Sequence, residues 1–385
     1  MKSSKQKIIL IAQILLIVST QLMISQTKAV VVDKTTKQPI PYVSIYTKNA
    51  DLVLGSMSNE QGQFEIDFSF NTLFLSHINY GKVEIKKENV QDTIFLIPTS
   101  VLLNEVVVNK RQPKWINAVL SRVIKGKGKN YQTLEKTFSY KYETYTLTDS
   151  NGYEFKSKGN IEFPKMKKDV QFKIDAQSNT IKYKNKTAGV DFSNLRRMLY
   201  DDFVNGFDNK FLNEYDFSQN SSFVGEDKNV IQLIFSSKKF QDDEGYIVLD
   251  TLNNVILEAE KNSGTECNIK TKTSSILRNV VASRGFNYDT WITKSNTKYS
   301  KIGDCYYISE CKYKFYMKSV YKNKKVDSEY FTSIESKLFL SDKIERASTS
   351  FKILPKPYYI VAIMTKKMRL EEEALNKVPV SFEGF

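Results

Sequence analysis

The sequence predicts a mainly all-β protein that contains two β-rich units. At 385 residues the chain is long enough for two domains of ~100–200 residues each. Apolar residues recur at every second position in short runs that are separated by turn signals, which is the pattern of antiparallel strands. The 22 tyrosines and 24 phenylalanines favour strands and supply material for a sizeable core, so disorder is not expected.

Residues 1–26 have the layout of a secretory signal peptide. A lysine-containing start precedes an apolar run over residues 8–18, and a polar stretch follows over residues 19–26. The apolar run is shorter than the ~20 residues that span a bilayer. We expect cleavage near Ser25 and Gln26, with an uncleaved anchor as the alternative. The protein is therefore predicted to be exported to the periplasm, the outer membrane or the cell surface.

Residues 27–108 read as a series of short strands. Phe64, Ile66 and Phe68 place an apolar side chain at every second position, directly after the turn signal of residues 59–62. The same alternation returns several times before residue 97, with turn residues between the runs. Regularly spaced short strands of this kind predict an antiparallel β-sandwich of roughly 80 residues.

Four segments of this region carry a family resemblance: VVDKTTKQPIPYVSI at 31–45, GSMSNEQGQFEI at 55–66, LSHINYG at 75–81 and LLNEVVV at 102–108. Together they resemble the carboxypeptidase-regulatory-like domain, a transthyretin-like β-sandwich of exported proteins in Gram-negative bacteria. The resemblance implies an accessory domain, with no carboxypeptidase catalytic residues to transfer. In many bacterial proteins this module precedes a receptor barrel of ~22 strands, for which the rest of this chain is too short.

Residues 109–130 are predicted to form a linker helix. Trp115, Ala118, Val119, Arg122 and Val123 have the spacing of one helix face. Glycines and lysines follow over residues 125–129, and both residue types favour a helix end there. This helix would join the two β-rich units.

Residues 131–385 are predicted to form a β-rich domain of unknown function, a large curved antiparallel sheet or half-barrel. Alternating aromatic residues begin at Phe138, and long aromatic strands are expected over residues 305–320 and 329–340. Helices are expected over residues 194–205 and 366–377. Two short stretches are weakly similar to uncharacterised bacterial envelope proteins and to half-barrels that carry lipoproteins across the periplasm; they cover residues 114–142 and 246–260.

The sequence predicts no catalytic, cofactor-binding or metal-binding residues, and no cofactor. It contains a single histidine, His77, so zinc sites with two or three histidines are excluded. His77 ends a strand pattern and is interpreted as structural. The acidic run over residues 242–245 is interpreted as a solvated turn, with a cation site as the alternative. A second acidic run, over residues 371–373, is interpreted as a solvated helix face.

Charge and cysteine content give further expectations. The net charge of +14 comes mostly from dispersed lysines, so a solubilising surface is expected and nucleic acid is not a predicted partner. Cys305 and Cys311 would be ~20 Å apart on one straight strand, too far for a disulfide. Either could pair with Cys267, or all three could be buried free thiols. Arg197 and Asp201 are spaced for an i,i+4 ion pair.

The aromatic strands allow two interpretations. Their rings could line a groove for carbohydrate or lipid, or they could pack in the core and on the sheet surface. The residues concerned are Tyr306, Tyr307, Tyr313, Phe315, Tyr316, Tyr321, Tyr330 and Phe331.

These patterns favour an exported cell-envelope protein with a non-catalytic binding or structural role. An envelope protein, a glycan or a lipid is the predicted kind of partner; peripheral membrane association and the oligomeric state remain open. One alternative is an enzyme, a carboxylate-based hydrolase of envelope polymer, which needs two acids at a fixed separation. The other is a small integral outer-membrane β-barrel. The terminal Phe385 fits such a barrel, but Pro379, Ser381 and Glu383 make the in-phase face polar.

Overall fold

The computed structural model describes residues 27–49, 52–99, 112–131, 135–149, 151–163, 170–179, 182–183, 186–187, 192–225, 227–273, 275–283, 285–322, 328–343 and 352–354. Residues 27–49 and 54–99 form a first compact unit, and residues 52–53 together with the described residues from 112 onward form a second. Several predictions concern segments outside the described residues and stay predictions. These are the signal peptide at 1–26, the motif at 102–108, the helix at 366–377 with its acidic run, and the terminal Phe385.

The first unit is a β-sandwich, as predicted. One sheet has the order β4-β1-β7 and the other the order β3-β2-β5-β6, and an apolar cluster that includes Val31, Ile45 and Leu73 fills the unit. One detail differs from the antiparallel prediction, because β1 pairs with β7 in parallel. The strands are β1 (Thr27–Asp33), β2 (Ser44–Asn49), β3 (Leu52–Met57), β4 (Gln63–Ile66), β5 (Thr72–His77), β6 (Tyr80–Lys86) and β7 (Thr93–Leu96), with a 3-10 turn at Lys87–Asn89.

Gly62 fixes the turn before β4. Its φ of +72° lies in the left-handed region, and a Cβ at this position would lie 2.6 Å from the carbonyl oxygen of Val31. Only glycine fits both conditions without strain. The turn signal in the sequence is therefore confirmed, together with the alternation that follows it.

Helix α1 (Lys114–Asn130) differs from the predicted linker helix in its end and in its buried face. It continues through both glycines, and its buried residues are Ile116, Val119, Leu120 and Val123. Trp115, which began the predicted face, is 42% exposed. The buried stripe has the i, i+3, i+4, i+7 spacing, starting one residue later than predicted. It packs into the core of the second unit.

The second unit contains a large antiparallel sheet, which confirms the predicted fold class. Its strand order is β13-β14-β15-β16-β17-β18-β19-β8-β9-β10-β20. The strands are β8 (Lys136–Thr148), β9 (Asn151–Phe163), β10 (Gln171–Asn179), β13 (Tyr215–Gln219), β14 (Val230–Ser237), β15 (Asp243–Asp250), β16 (Val255–Ser263), β17 (Phe286–Ile302), β18 (Cys305–Tyr321), β19 (Ser328–Ser341) and β20 (Lys352–Ile353), while β11 (Lys182–Tyr183) and β12 (Lys186–Thr187) form a separate pair.

Helices cover one face of this sheet and complete its apolar core. The helix predicted over residues 194–205 is divided in two, because Tyr200 ends one helix and Asp202 precedes the next. The packing interpretation of the aromatic strands is confirmed for Tyr307 and Tyr313, which are buried in the core. The helices are α2 (Ser193–Tyr200), α3 (Phe203–Gly206), α4 (Asn209–Glu214), α5 (Thr265–Lys272) and α6 (Ser275–Ser283).

Candidate functional site

The helix-covered face of the large sheet contains a recess. Strand register places Lys261, Ser295 and Tyr313 directly opposite one another on β16, β17 and β18. The next row on the same face holds Thr297 and Cys311, which are buried. Ser295 is exposed, although it lies on a central strand between two large side chains. The helices therefore leave an opening above Ser295, which forms the floor of the recess.

Two basic side chains come to the recess from different helices. Arg197 of α2 donates a hydrogen bond to the hydroxyl of Tyr313 at 3.1 Å, and its guanidinium carbon lies 5.9 Å from the ring centroid. Lys272, the last residue of α5, has its ammonium 3.3 Å from Oγ1 of Thr293, which neighbours Ser295 on the same face. Both positive charges thus border the opening over Ser295.

The electrostatics of Lys272 are those of a cation in a recess. The surrounding protein desolvates the ammonium, and the nearby Arg197 adds repulsion, so that the pKa of Lys272 is lowered to about 8. The side chain nevertheless remains exposed to solvent. Among the described residues, neither Arg197 nor Lys272 forms an ion pair with a carboxylate. An anion that entered the recess would therefore meet two positive charges that no described carboxylate contacts directly.

A third cation, Lys261, is already compensated. Its ammonium lies 3.3 Å from Oδ1 of Asp243 and donates to the hydroxyl of Tyr215 at 2.5 Å. Asp243 is 2% exposed and also accepts hydrogen bonds from Tyr215 and from Ser263, the latter at 3.0 Å. The predicted solvated turn over residues 242–245 is thus wrong at Asp243, because β15 begins there and directs this carboxylate onto the buried sheet face.

Asp242, the neighbouring acid, positions α5. Its side chain accepts the backbone N–H groups of Glu266 at 2.8 Å and Cys267 at 3.3 Å, which are free at a helix start. A Cβ on Gly264, the residue before α5, would lie 2.5 Å from the Asp242 side chain, so the close approach requires glycine. The turn that the sequence assigned to solvent therefore anchors the helix that ends in Lys272.

The three cysteines are free and buried, which confirms one of the two predicted alternatives. Burial, with a smaller contribution from Asp243, raises the pKa of Cys267 to about 11. Burial likewise raises the pKa of Cys311 far above its usual value. Both groups are therefore neutral thiols at neutral pH, and a thiol is a poor nucleophile.

The other residues singled out in the sequence lie apart from the recess. His77 ends β5 in the first unit, where its Nδ1 accepts the N–H of Asn79 at 3.2 Å and its ring contacts Tyr80 edge-on at 5.1 Å. The structural interpretation of His77 is consistent with these contacts. The predicted ion pair between Arg197 and Asp201 is wrong, because among the described residues the Arg197 guanidinium contacts no carboxylate and donates to the hydroxyl of Tyr313 instead.

The described residues contain no group of three or more histidine, cysteine, aspartate or glutamate side chains arranged to hold a metal ion. None of the helices described has the length and apolar character needed to cross a membrane.

The fold and the site define a mainly β protein with an N-terminal sandwich and a large helix-covered sheet that carries a basic recess. Residues 28–108 match the family model of the CarboxypepD_reg-like domain, which confirms the resemblance for this segment. No curated protein sequence matches the chain significantly.

Solved structures show only distant likeness. A lipovitellin structure is 10% identical over 63% of this chain, with a TM-score of 0.27, and this chain covers 30% of its length. MucB is 10% identical over 58% of this chain and 93% of its own, with a TM-score of 0.22. A DUF1329 family protein from Desulfovibrio piger is 9% identical over 57% of this chain and 90% of its own, with a TM-score of 0.22. These scores are too low to assign a ligand.

Proposed function

We propose that the protein is an exported cell-envelope protein with a non-catalytic role, and that its second unit binds an anionic group in the recess. The observation that carries this proposal is the pair Arg197 and Lys272, which border a solvent-open recess without a carboxylate partner among the described residues. Arg197 is half-buried, and a positive charge that is partly removed from water is costly unless an anion compensates it. Export is supported by the signal-like sequence of residues 1–26 and by the sandwich module at 28–108.

The chemistry of the recess favours a carboxylate or a phosphate. Arginine presents a planar fork of donors that matches either group, while lysine supplies a compact charge. The hydroxyl of Ser295 lies on the recess floor and can donate a further hydrogen bond, whereas that of Thr293 already donates to Asn268 at 3.2 Å. Acidic glycans and anionic lipids are the envelope ligands with this chemistry.

Binding is better supported than hydrolysis. A carboxylate-based glycosidase needs two acids ~5–10 Å apart across the cleft. Among the described residues that form the recess, the acid identified is Asp243. It is buried, and its carboxylate is already bound by Tyr215, Ser263 and Lys261. Cys267 is held as a neutral thiol.

Titration of the whole protein with inorganic phosphate and with acetate, followed by calorimetry, tests the proposal. Charge-assisted hydrogen bonds contribute about 1.5–3 kcal/mol each, so Arg197→Gln or Lys272→Gln is expected to weaken binding by about ten- to a hundredfold. Lys270→Gln is the matched control, because Lys270 lies on the same helix, is exposed and pairs with Glu266. Absence of binding to the native protein, or equal losses for Lys270→Gln and Lys272→Gln, contradicts the proposal.

A further inference from the structure

The recess continues into a row of aromatic side chains on the same sheet face. Phe315 lies directly opposite Thr293, and Trp291 precedes Thr293 by two residues on β17. The ring centroids of Phe315 and Trp291 are 6.3 Å apart. Tyr288 follows at 5.3 Å from Trp291, and Phe286 at 5.7 Å from Tyr288. A line of rings therefore leads away from the basic end of the recess.

This row lies where β17 loses its strand neighbour. The pairing of β16 with β17 ends at Ser263 opposite Thr293, and α5 takes over beyond that point. Thr265 accepts the N–H of Trp291 at 3.0 Å, and Asn268 donates to its carbonyl oxygen at 2.9 Å. Helix α6 also packs against β17. All four rings keep partial exposure, so they border an opening and are not enclosed in the core.

Two of the four rings in the row carry a polar group, the hydroxyl of Tyr288 and the indole N–H of Trp291, and the rest of the row is apolar. Phe286, Phe315 and Met317, which lies opposite Trp291, have none that could bind a hydroxyl strongly. A sugar chain would leave many hydroxyl groups without partners there, which costs binding energy. A hydrocarbon chain has no such requirement, and it gains from leaving water.

We propose that the recess and the aromatic row form one site for an anionic amphiphile. Its phosphate or carboxylate head binds Arg197 and Lys272, and its hydrocarbon chain lies along Phe315, Trp291 and Phe286. The seven residue steps from Phe286 to Thr293 span at most roughly 23 Å at the rise of a β-strand, because the strand is irregular between Tyr288 and Thr290, and this is long enough for an extended acyl chain. The inference rests on the proposed anion site for its charged end and adds the chemistry of the rest of the ligand.

The two tryptophans of the chain allow a direct test. In the variant Trp115→Phe, which changes an exposed residue of α1, Trp291 is the remaining tryptophan. Inorganic, butyl, hexyl and octyl phosphate are titrated below their micelle concentrations, with octyl glucoside as the uncharged control. Each methylene that leaves water contributes about 0.8 kcal/mol, so affinity is expected to rise by up to about fourfold per methylene, with a shift in Trp291 emission.

Variants then show where the hydrocarbon chain of the ligand binds. Phe286→Ser, or Tyr288→Ser as a second variant, is expected to reduce the increase in affinity from butyl to octyl phosphate and to leave the affinity for inorganic phosphate unchanged. Phe339→Ser is the matched control, since Phe339 is 43% exposed on β19 and lies outside the aromatic row. The expected result is a loss of the chain-length gain in the first two variants and its retention in the control.

The outcomes separate this inference from the proposed function. If inorganic phosphate binds through Arg197 and Lys272 and chain length adds nothing, the amphiphile inference is overturned and the anion site stands. If octyl glucoside binds as tightly as octyl phosphate, or if an oligogalacturonate binds more tightly than octyl phosphate, the inference is also overturned. If no phosphate binds the native protein, both proposals fail.

Discussion

Asp202 provides a sharp test of the electrostatics of the second unit. It precedes α3, is 4% exposed, and accepts a hydrogen bond from the hydroxyl of Tyr299 at 2.7 Å. Its other carboxylate oxygen, Oδ1, has no hydrogen-bond partner among the described residues. Burial raises the pKa of Asp202 to about 6, against the opposing effects of Tyr299, Asn205 and Lys127.

The sign and size of the stability effect follow from this pKa. The folded state holds the Asp202 proton more tightly than the unfolded chain, whose value is 3.8, so ionisation of this group destabilises the fold as pH rises through about 6. At about 1.4 kcal/mol per pH unit, the full effect is about 3 kcal/mol. Between pH 4 and pH 7.5 about 2.5 kcal/mol of it should be lost, because the unfolded carboxyl is already half-ionised near pH 4.

Asp202→Asn is the perturbation, because the amide retains an acceptor for Tyr299 and cannot ionise. Urea unfolding of the native protein and the variant at steps from pH 4 to pH 7.5 gives the free energy of unfolding of each. The difference between the two is expected to change by about 2.5 kcal/mol across this range, in favour of the variant at high pH. Asp304→Asn, in the exposed turn between β17 and β18, is the control. Parallel pH profiles for Asp202→Asn and the native protein would refute the reasoning.

Three further predictions follow from the described contacts. Leu120→Ala removes a fully buried side chain of α1 and should cost about 2–5 kcal/mol of unfolding free energy, whereas Trp115→Ala, at an exposed site, should cost much less; equal costs by urea unfolding would contradict the helix register. Phosphate affinity should fall as pH rises through about 8, where Lys272 loses its charge, and a calorimetric pH series should show no such fall for Lys272→Gln. Cys267 and Cys311 should react with a thiol reagent only after unfolding, because both are buried with a raised pKa; rapid labelling of the native protein would count against this.

The candidate site shows where sequence reasoning stops. Arg197, Asp243, Cys267 and Tyr313 were each noted in the sequence for separate reasons, as an ion-pair member, a turn residue, a disulfide candidate and an aromatic strand residue. Strand register puts Asp243 of β15 and Tyr313 of β18 on one sheet face, and α2 and α5 bring Arg197 and Cys267 to that face. Nothing in the sequence singled out Lys272, because a lysine at a helix end is usual. Its lowered pKa depends on burial and on Arg197, which only the tertiary structure brings near.

Local pattern determined much of the fold from the sequence alone. Alternation with period two predicts which side chains share a face of a strand, and glycine indicates a turn such as that at Gly62. Both features depend only on the backbone of a few neighbouring residues. Register, the buried face of α1 and the placement of Asp243 were decided only by the tertiary structure. A shift of one residue along a strand or helix changes which side chains are buried, and the free energy that selects the shift comes from partners far away in the chain. The opening over Ser295 exists for the same reason: it is defined by where two separate helices end, which no local stretch of sequence records.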